Sequence, residues 1–277
     1  MSAVTLGALP LDGVDAEGVE WVVEDIEGWD GSPGSTIQVV QRPRAHGAWA
    51  GDAYLPARSV AVGGVLMAPD RGAARRALQR LNEAASLAST TLAVNDAGES
   101  LWAGVRRQDV ILAKWLGDKA VRYSVQLVAT DPRRFGDALV ESTALPSTAG
   151  GLTVPLTVPF TINAVTVTGQ VSLTNPGNIA GTVRLRIDGP VQGPVVTHVN
   201  SGRSLVFSSS IVLGAGEWID VDMERREVLA NGQASRNGWV TARGWSAFEP
   251  GENTWAFTAA GYDPGSKLTV TATPAWQ

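Results

Sequence analysis

Tight-turn clusters at short, regular intervals punctuate the last third of the chain. They are Asn175-Pro176-Gly177-Asn178, Asp188-Gly189-Pro190, Gly214-Ala215-Gly216-Glu217, Asn231-Gly232 and Glu249-Pro250-Gly251-Glu252-Asn253. Each offers Gly or Asn where the backbone takes positive φ, or Pro where φ is fixed. Between them, Val183-Leu185-Ile187, Ile219-Val221 and Trp255-Phe257 are apolar at every second position. Period two assigns those side chains to one face of a sheet. Short strands separated by such turns predict a β-sandwich or jelly roll. That architecture alone specifies no activity.

The 277 residues exceed one small domain, and either half is long enough to bury a core. We expect a first domain over 1–140, a linker over 141–152 made of Ser, Thr, Ala, Gly and Pro, and the sandwich over 153–277. The first half reads as mostly antiparallel β with one helix. Asp70 sits at the helix start, and Ala74, Leu78, Leu81, Ala85 and Ala88 form an apolar stripe. Arg71, Arg75, Arg76 and Arg80 project elsewhere, as a solvated face or a partner-facing patch. Thr36 to Arg42 reads as a strand, and Pro43 to Pro56 as a loop with Trp49 and Tyr54 as anchors. In Ala120–Ala129, Val121, Tyr123, Val125, Leu127 and Ala129 share one face, and Asp131-Pro132 ends the strand.

Cysteine is absent, which excludes disulfides, cysteine nucleophiles and thiolate metal sites. No stretch approaches the roughly 20 apolar residues of a membrane span, and the first residues lack signal-peptide character. We therefore expect synthesis in a cytoplasm and no membrane insertion. The net charge of −5 argues against a nucleic-acid-binding surface. From Asp12 to Asp30 there are eight acids and no base, either a solvated edge or a surface that repels phosphate. Arg heavily outnumbers Lys, and Ala, Gly and Val abound, which suggests a high-GC genome.

Catalytic patterns are missing. His46 and His198 lack zinc-site spacing, and no Gly-x-Ser-x-Gly elbow supports a triad. Gly63-Gly64 and Gly150-Gly151 fit bulges and linker better than a phosphate loop. Asp220, Asp222 and Glu224 read as the solvent face of a strand, with calcium binding as the sharper alternative. We expect no catalytic residue, no metal and no cofactor. Among the aromatics, Trp255 reads as core, while Trp239 and Trp245 follow glycines and are candidate carbohydrate contacts.

Two stretches carry a resemblance. One is Tyr123-Ser124-Val125-Gln126-Leu127-Val128-Ala129-Thr130-Asp131-Pro132-Arg133-Arg134-Phe135. The other runs from Asn175-Pro176-Gly177-Asn178 through Gly216-Glu217-Trp218 and Asn231-Gly232 to Pro250-Gly251-Glu252-Asn253-Thr254-Trp255. In this order they resemble the distal tail proteins, or minor tail proteins, of siphophages. The resemblance implies an N-terminal split β-barrel with one packed helix and a galectin-like or carbohydrate-binding-module-like C-terminal sandwich. It implies a structural role in the virion tail tip, or baseplate, and no enzyme activity. Copies would form a hexameric ring through which DNA passes, joining the tail-tube protein to tail-tip proteins, without sequence-specific nucleic-acid binding. Arg75, Arg76, Arg133 and Arg134 are the candidate ring or partner contacts. The competing reading is a carbohydrate-binding module for host-surface glycans.

Overall fold

The computed structural model describes residues 3–149 and 165–277. It is mainly β, with one α-helix among the described residues. The chain divides into two compact units, Met1–Gly136 with Gln277, and Asp137–Trp276. Part of the segment expected as linker, 141–152, is strand. Residues 141–144 belong to the strand Leu139–Ala144, which pairs in register with Lys267–Ala272. Ser147–Ala149 is also strand, paired with Val165–Val167. Gly150-Gly151 lies outside the described residues.

In the first unit, antiparallel pairing runs from Leu9–Pro10 to Ala3–Leu6, Thr90–Asp96, Glu99–Arg107, Ala120–Ala129, Arg58–Met67, Glu20–Glu27 and Gly13–Val14. This path begins and ends in one short segment, Leu9–Val14. The two ends of the path are therefore neighbours in sequence, although no ladder pairs Leu9–Pro10 with Gly13–Val14 among the described residues. Ala120–Ala129 and Arg58–Met67 match over ten consecutive pairs. Val121, Tyr123, Val125, Leu127 and Ala129 all point into the core, as their alternation predicts. Ala97 and Gly98 both take positive φ, the two-residue turn that a tight hairpin between Thr90–Asp96 and Glu99–Arg107 requires.

Gly64 lies opposite Tyr123, whose ring fills the space a Cβ would need. The neighbouring ladder shifts register between Val23 and Asp25, beside Gly64 and Gly63, so these glycines mark a bulge. The helix is Arg71–Ala84. The Asp70 side chain accepts from the Ala73 N–H, capping its first turn. The helix buries Ala73, Ala74, Ala77 and Leu81, with Ala85 just beyond it, in the core of this unit. The stripe is thus shorter than expected, because Ala88 lies beyond the helix and is exposed.

The second unit has two main sheets. One runs Leu139–Ala144, Lys267–Trp276, Ile179–Asp188, Trp218–Asp222, Glu227–Ala230 and Ala234–Ser235. The other runs Gln170–Asn175, Gly251–Thr258, Val195–His198, Arg203–Phe207 and Val240–Arg243. Val183, Leu185, Ile187, Ile219, Val221, Leu268 and Val270 from the first share one core with Val171, Val196, Leu205, Phe207, Trp255 and Phe257 from the second. Each fully buried aliphatic of this kind stabilises by roughly 1.5–3 kcal/mol. Asn231 and Gly232 take positive φ in the turn between Glu227–Ala230 and Ala234–Ser235.

Candidate functional site

The basic helix face and the acidic stretch are largely partners of one another. Arg80 Nη2 lies 2.7 Å from Asp15 Oδ2, and Arg76 Nε lies 2.9 Å from Glu17 Oε2. Asp15 also accepts from Trp21 Nε1, Val19 N and Glu17 N. Burial works to raise the Asp15 carboxyl, but hydrogen bonds from Trp21, Val19, Glu17 and Arg80 hold it below its ordinary value. Arg71 reaches Asp118 and stacks over Trp115. Arg76 is therefore engaged by its own unit. Arg75 is exposed and makes no ion pair among the described residues. Along Glu20–Glu27 the acids face outward, with Glu24 paired to Arg122 at 3.2 Å. The acidic run is thus part structural pairing and part solvated edge.

Arg133 and Arg134 also turn inward. Arg133 clasps Asp131 at 2.6 Å and lies over the Phe135 ring. Arg134 is buried and lies over Trp29. Desolvation lowers the pKa of Arg134, while Asp30 and Glu99 favour its charge. Both make contacts within their own unit. The sequence did not single out Arg58, which is 1% exposed. Its guanidinium donates to the carbonyls of Pro132, Gly28, Trp29 and Gly31. Those acceptors are distant in sequence, so only the folded sheet brings them together.

One feature of the first unit pairs with no further strand among the described residues. Thr36–Gln41 and Ala48–Tyr54 pair as a separate two-stranded ribbon. The segment expected as a loop is therefore half of a hairpin. Trp49 and Tyr54 are 56% and 69% exposed, with Arg42 over the Trp49 ring, and lie beside exposed Ile37, Val39 and Val40. An isolated hairpin is marginal in water, and a cluster of exposed apolar side chains marks an interaction surface.

In the second unit, Trp239 and Trp245 are half-buried and pack against the core, with no ring contact between them among the described residues. Trp239 is covered by Arg236, 5.3 Å from its centroid. His198 is buried; its Nδ1 lies 2.7 Å from Ser201 Oγ, and its Nε2 lies 3.1 Å from Asn253 Oδ1. An oxygen acceptor on Nε2 fixes the proton there, so Nδ1 accepts from the serine hydroxyl. Asn253 in turn donates to the Glu249 and Gly251 carbonyls. The trio pins two loops together beneath Trp255. Asp222 accepts from the backbone N–H groups of Glu224 and Arg225. Among the described residues, no group of three or more His, Asp or Glu side chains is placed to hold a metal ion.

Residues 177–276 match the family model described as "Siphovirus-type tail component, C-terminal domain". No curated protein sequence matches the chain. Among solved structures, the chain is similar to the Dit (gp 19.1) protein of phage SPP1, described as "a Paradigm of Hub Adsorption Apparatus in Gram-positive Infecting Phages". That likeness has a TM-score of 0.71 at 10% identity and covers 100% of both chains. A chain of the phage P2 baseplate in its activated conformation with Ca aligns at a TM-score of 0.53 and 8% identity, over 99% of this chain and 98% of that one. The corresponding baseplate with Sr gives 0.50 and 10%, over 98% and 97%.

Proposed function

We propose that this chain, whose fold and C-terminal domain are those of a siphophage distal tail protein, forms a homo-hexameric ring in the virion tail tip. The ring joins the tail-tube protein to the tip proteins and lets DNA pass through its channel. The coarser role, a structural component of a phage tail hub or baseplate, rests on the matched domain and the whole-chain likeness.

The observation that carries self-association is the exposed hairpin Thr36–Gln41 with Ala48–Tyr54. A closed ring needs one face of each subunit to dock on a different face of the next. The hairpin offers such a face: covering Val40, Trp49 and Tyr54 would remove apolar surface from water at roughly 25 cal/mol per Å². Arg75, unpaired on the helix, remains a candidate contact. The acidic balance supports passage of DNA without grip, since a channel that released many counterions would hold it.

Sedimentation tests this reading. The full chain should associate as concentration rises. A Val40→Asp, Trp49→Asp double variant should stay monomeric with an unchanged melting temperature, because neither side chain supports the core. Association equal to that of the unsubstituted chain would remove the hairpin from the interface.

A further inference from the structure

A serine, a histidine and an asparagine meet at the hairpin formed by Val195–His198 and Arg203–Phe207. Ser201 lies in the connecting turn and is exposed, while His198 and Asn253 are buried. Ser201 Oγ lies 2.7 Å from His198 Nδ1, and His198 Nε2 lies 3.1 Å from Asn253 Oδ1. The Glu249 backbone N–H also donates to Asn253 Oδ1, at 3.0 Å, and Asn253 Nδ2 donates to the Glu249 and Gly251 carbonyls. These backbone partners fix which atom of the Asn253 amide is the acceptor. The proton of the neutral imidazole is therefore on Nε2, and the Nδ1 lone pair receives the Ser201 hydroxyl proton.

Nucleophile, base and orienting group thus form one hydrogen-bonded line, the arrangement of acyl-transfer catalysts. The base is held on two sides. Its ring packs against Trp255 with centroids 5.2 Å apart, and Asn253 is tied through both amide atoms to the Glu249–Gly251 backbone. Burial chiefly, and the Arg203 charge in addition, lower the His198 pKa against the pull of Asn253 and Glu249, so the imidazole is a free base at neutral pH. Register sets Arg203 directly opposite His198. Arg203 Nη1 donates to the Trp245 carbonyl at 3.1 Å, and its other nitrogens bond to no described residue. Arg203 is the cation available to an oxyanion formed beside Ser201.

We propose that Ser201 and His198, positioned by Asn253, cleave small carboxylic esters. Ser201 Oγ bonds to the acyl carbon as its proton passes to His198 Nδ1. The imidazolium returns that proton to the departing alkoxide oxygen as the ester C–O bond breaks. Water then gives a proton to Nδ1 and bonds to the acyl carbon, and the proton goes to Ser201 Oγ as its bond to that carbon breaks. Ser201, Gly202 and Arg203 are all exposed, so the turn admits a short acyl group on a larger molecule. An ester suits this site better than an amide, whose nitrogen is the poorer leaving group. The proposal stands against the expectation of no catalytic residue, which rested on sequence motifs, and it does not rest on the ring.

The test treats the full chain with a fluorophosphonate, which traps an activated serine, and maps the labelled peptides. Ser35 and Ser209 are internal controls, exposed and hydrogen-bonded to no histidine among the described residues. Ser201 should label about 100-fold faster than either, because a positioned base contributes a factor of about 10²–10⁴. His198→Gln should bring Ser201 down to the level of the controls. Hydrolysis of p-nitrophenyl acetate by the full chain should fall to the buffer rate in Ser201→Ala. Melting temperature identifies a His198→Gln protein that misfolds, and Ser201→Cys then decides, since the chain has no cysteine of its own. At about pH 6.5 its thiol should react with iodoacetamide about tenfold faster than that of Ser35→Cys, because a neighbouring imidazole favours the thiolate. Equal labelling of the three serines, labelling that persists in folded His198→Gln, equal thiol rates, or hydrolysis undiminished in Ser201→Ala would each overturn the proposal. The mass of the same sample, measured in parallel, reports separately on the ring.

Discussion

Arg58 donates to four backbone carbonyls from a site with almost no solvent. Removing it would leave those acceptors buried and unpaired, so Arg58→Met should destabilise the first unit by about 3 kcal/mol. Urea denaturation checks this, and an unchanged midpoint would contradict it. His198 gives a pH-dependent counterpart. Burial is the largest influence on it and lowers its pKa, although Asn253 and Glu249 favour the charged form. The unfolded chain, with an ordinary value of about 6.5, therefore binds a proton before the folded one does. Stability should be level above about pH 6.5 and fall as pH drops from there toward the folded value. His198→Gln should flatten that decline, as denaturation midpoints at a series of pH values would reveal; an identical slope in both proteins would remove His198 as its source. Neither role was legible in the sequence. A lone Arg and a lone His carry no spacing signal, and their partners are fixed only by long-range pairing.

At the level of strands, alternation was a reliable guide wherever one face meets the core. Ala120–Ala129 buries every second side chain, and Val125 sits opposite Val62 in the middle of its ladder. Val125→Pro should abolish folding of the first unit, because an interior strand cannot lose a ladder donor; a native-like circular dichroism spectrum would contradict this. The pattern failed where no core imposes it. Ala48–Tyr54 carries Gly51, lacks β-branched residues and lies in a ribbon with almost no buried face, so composition suggested a loop. Residues 141–144 read as linker for a related reason: Glu141 and Ser142 are exposed, Thr143 is only half-buried, and pairing with Lys267–Val270 is what defines this segment as strand. The charged rows of the second unit were half visible. The alternation of Asp220 and Asp222 marked a solvent face, but register alone brings Arg184, Arg186 and the threonines beside them.

For the whole molecule, the order of turn clusters and the Asp131-Pro132 strand end carried the family resemblance at a level where pairwise identity is only 8–10%. Turn chemistry and alternation outlast sequence identity because they encode backbone geometry rather than particular side chains. What they do not encode is how one copy would meet another, since that depends on exposed surfaces such as the Thr36–Tyr54 hairpin, where no core imposes a pattern. Negative-stain imaging of the purified full chain at rising concentration measures this most directly. Closed rings with a central hole, made of six copies, are the predicted result. Single compact particles without a hole at every concentration, with a solution mass of one chain, would contradict the account.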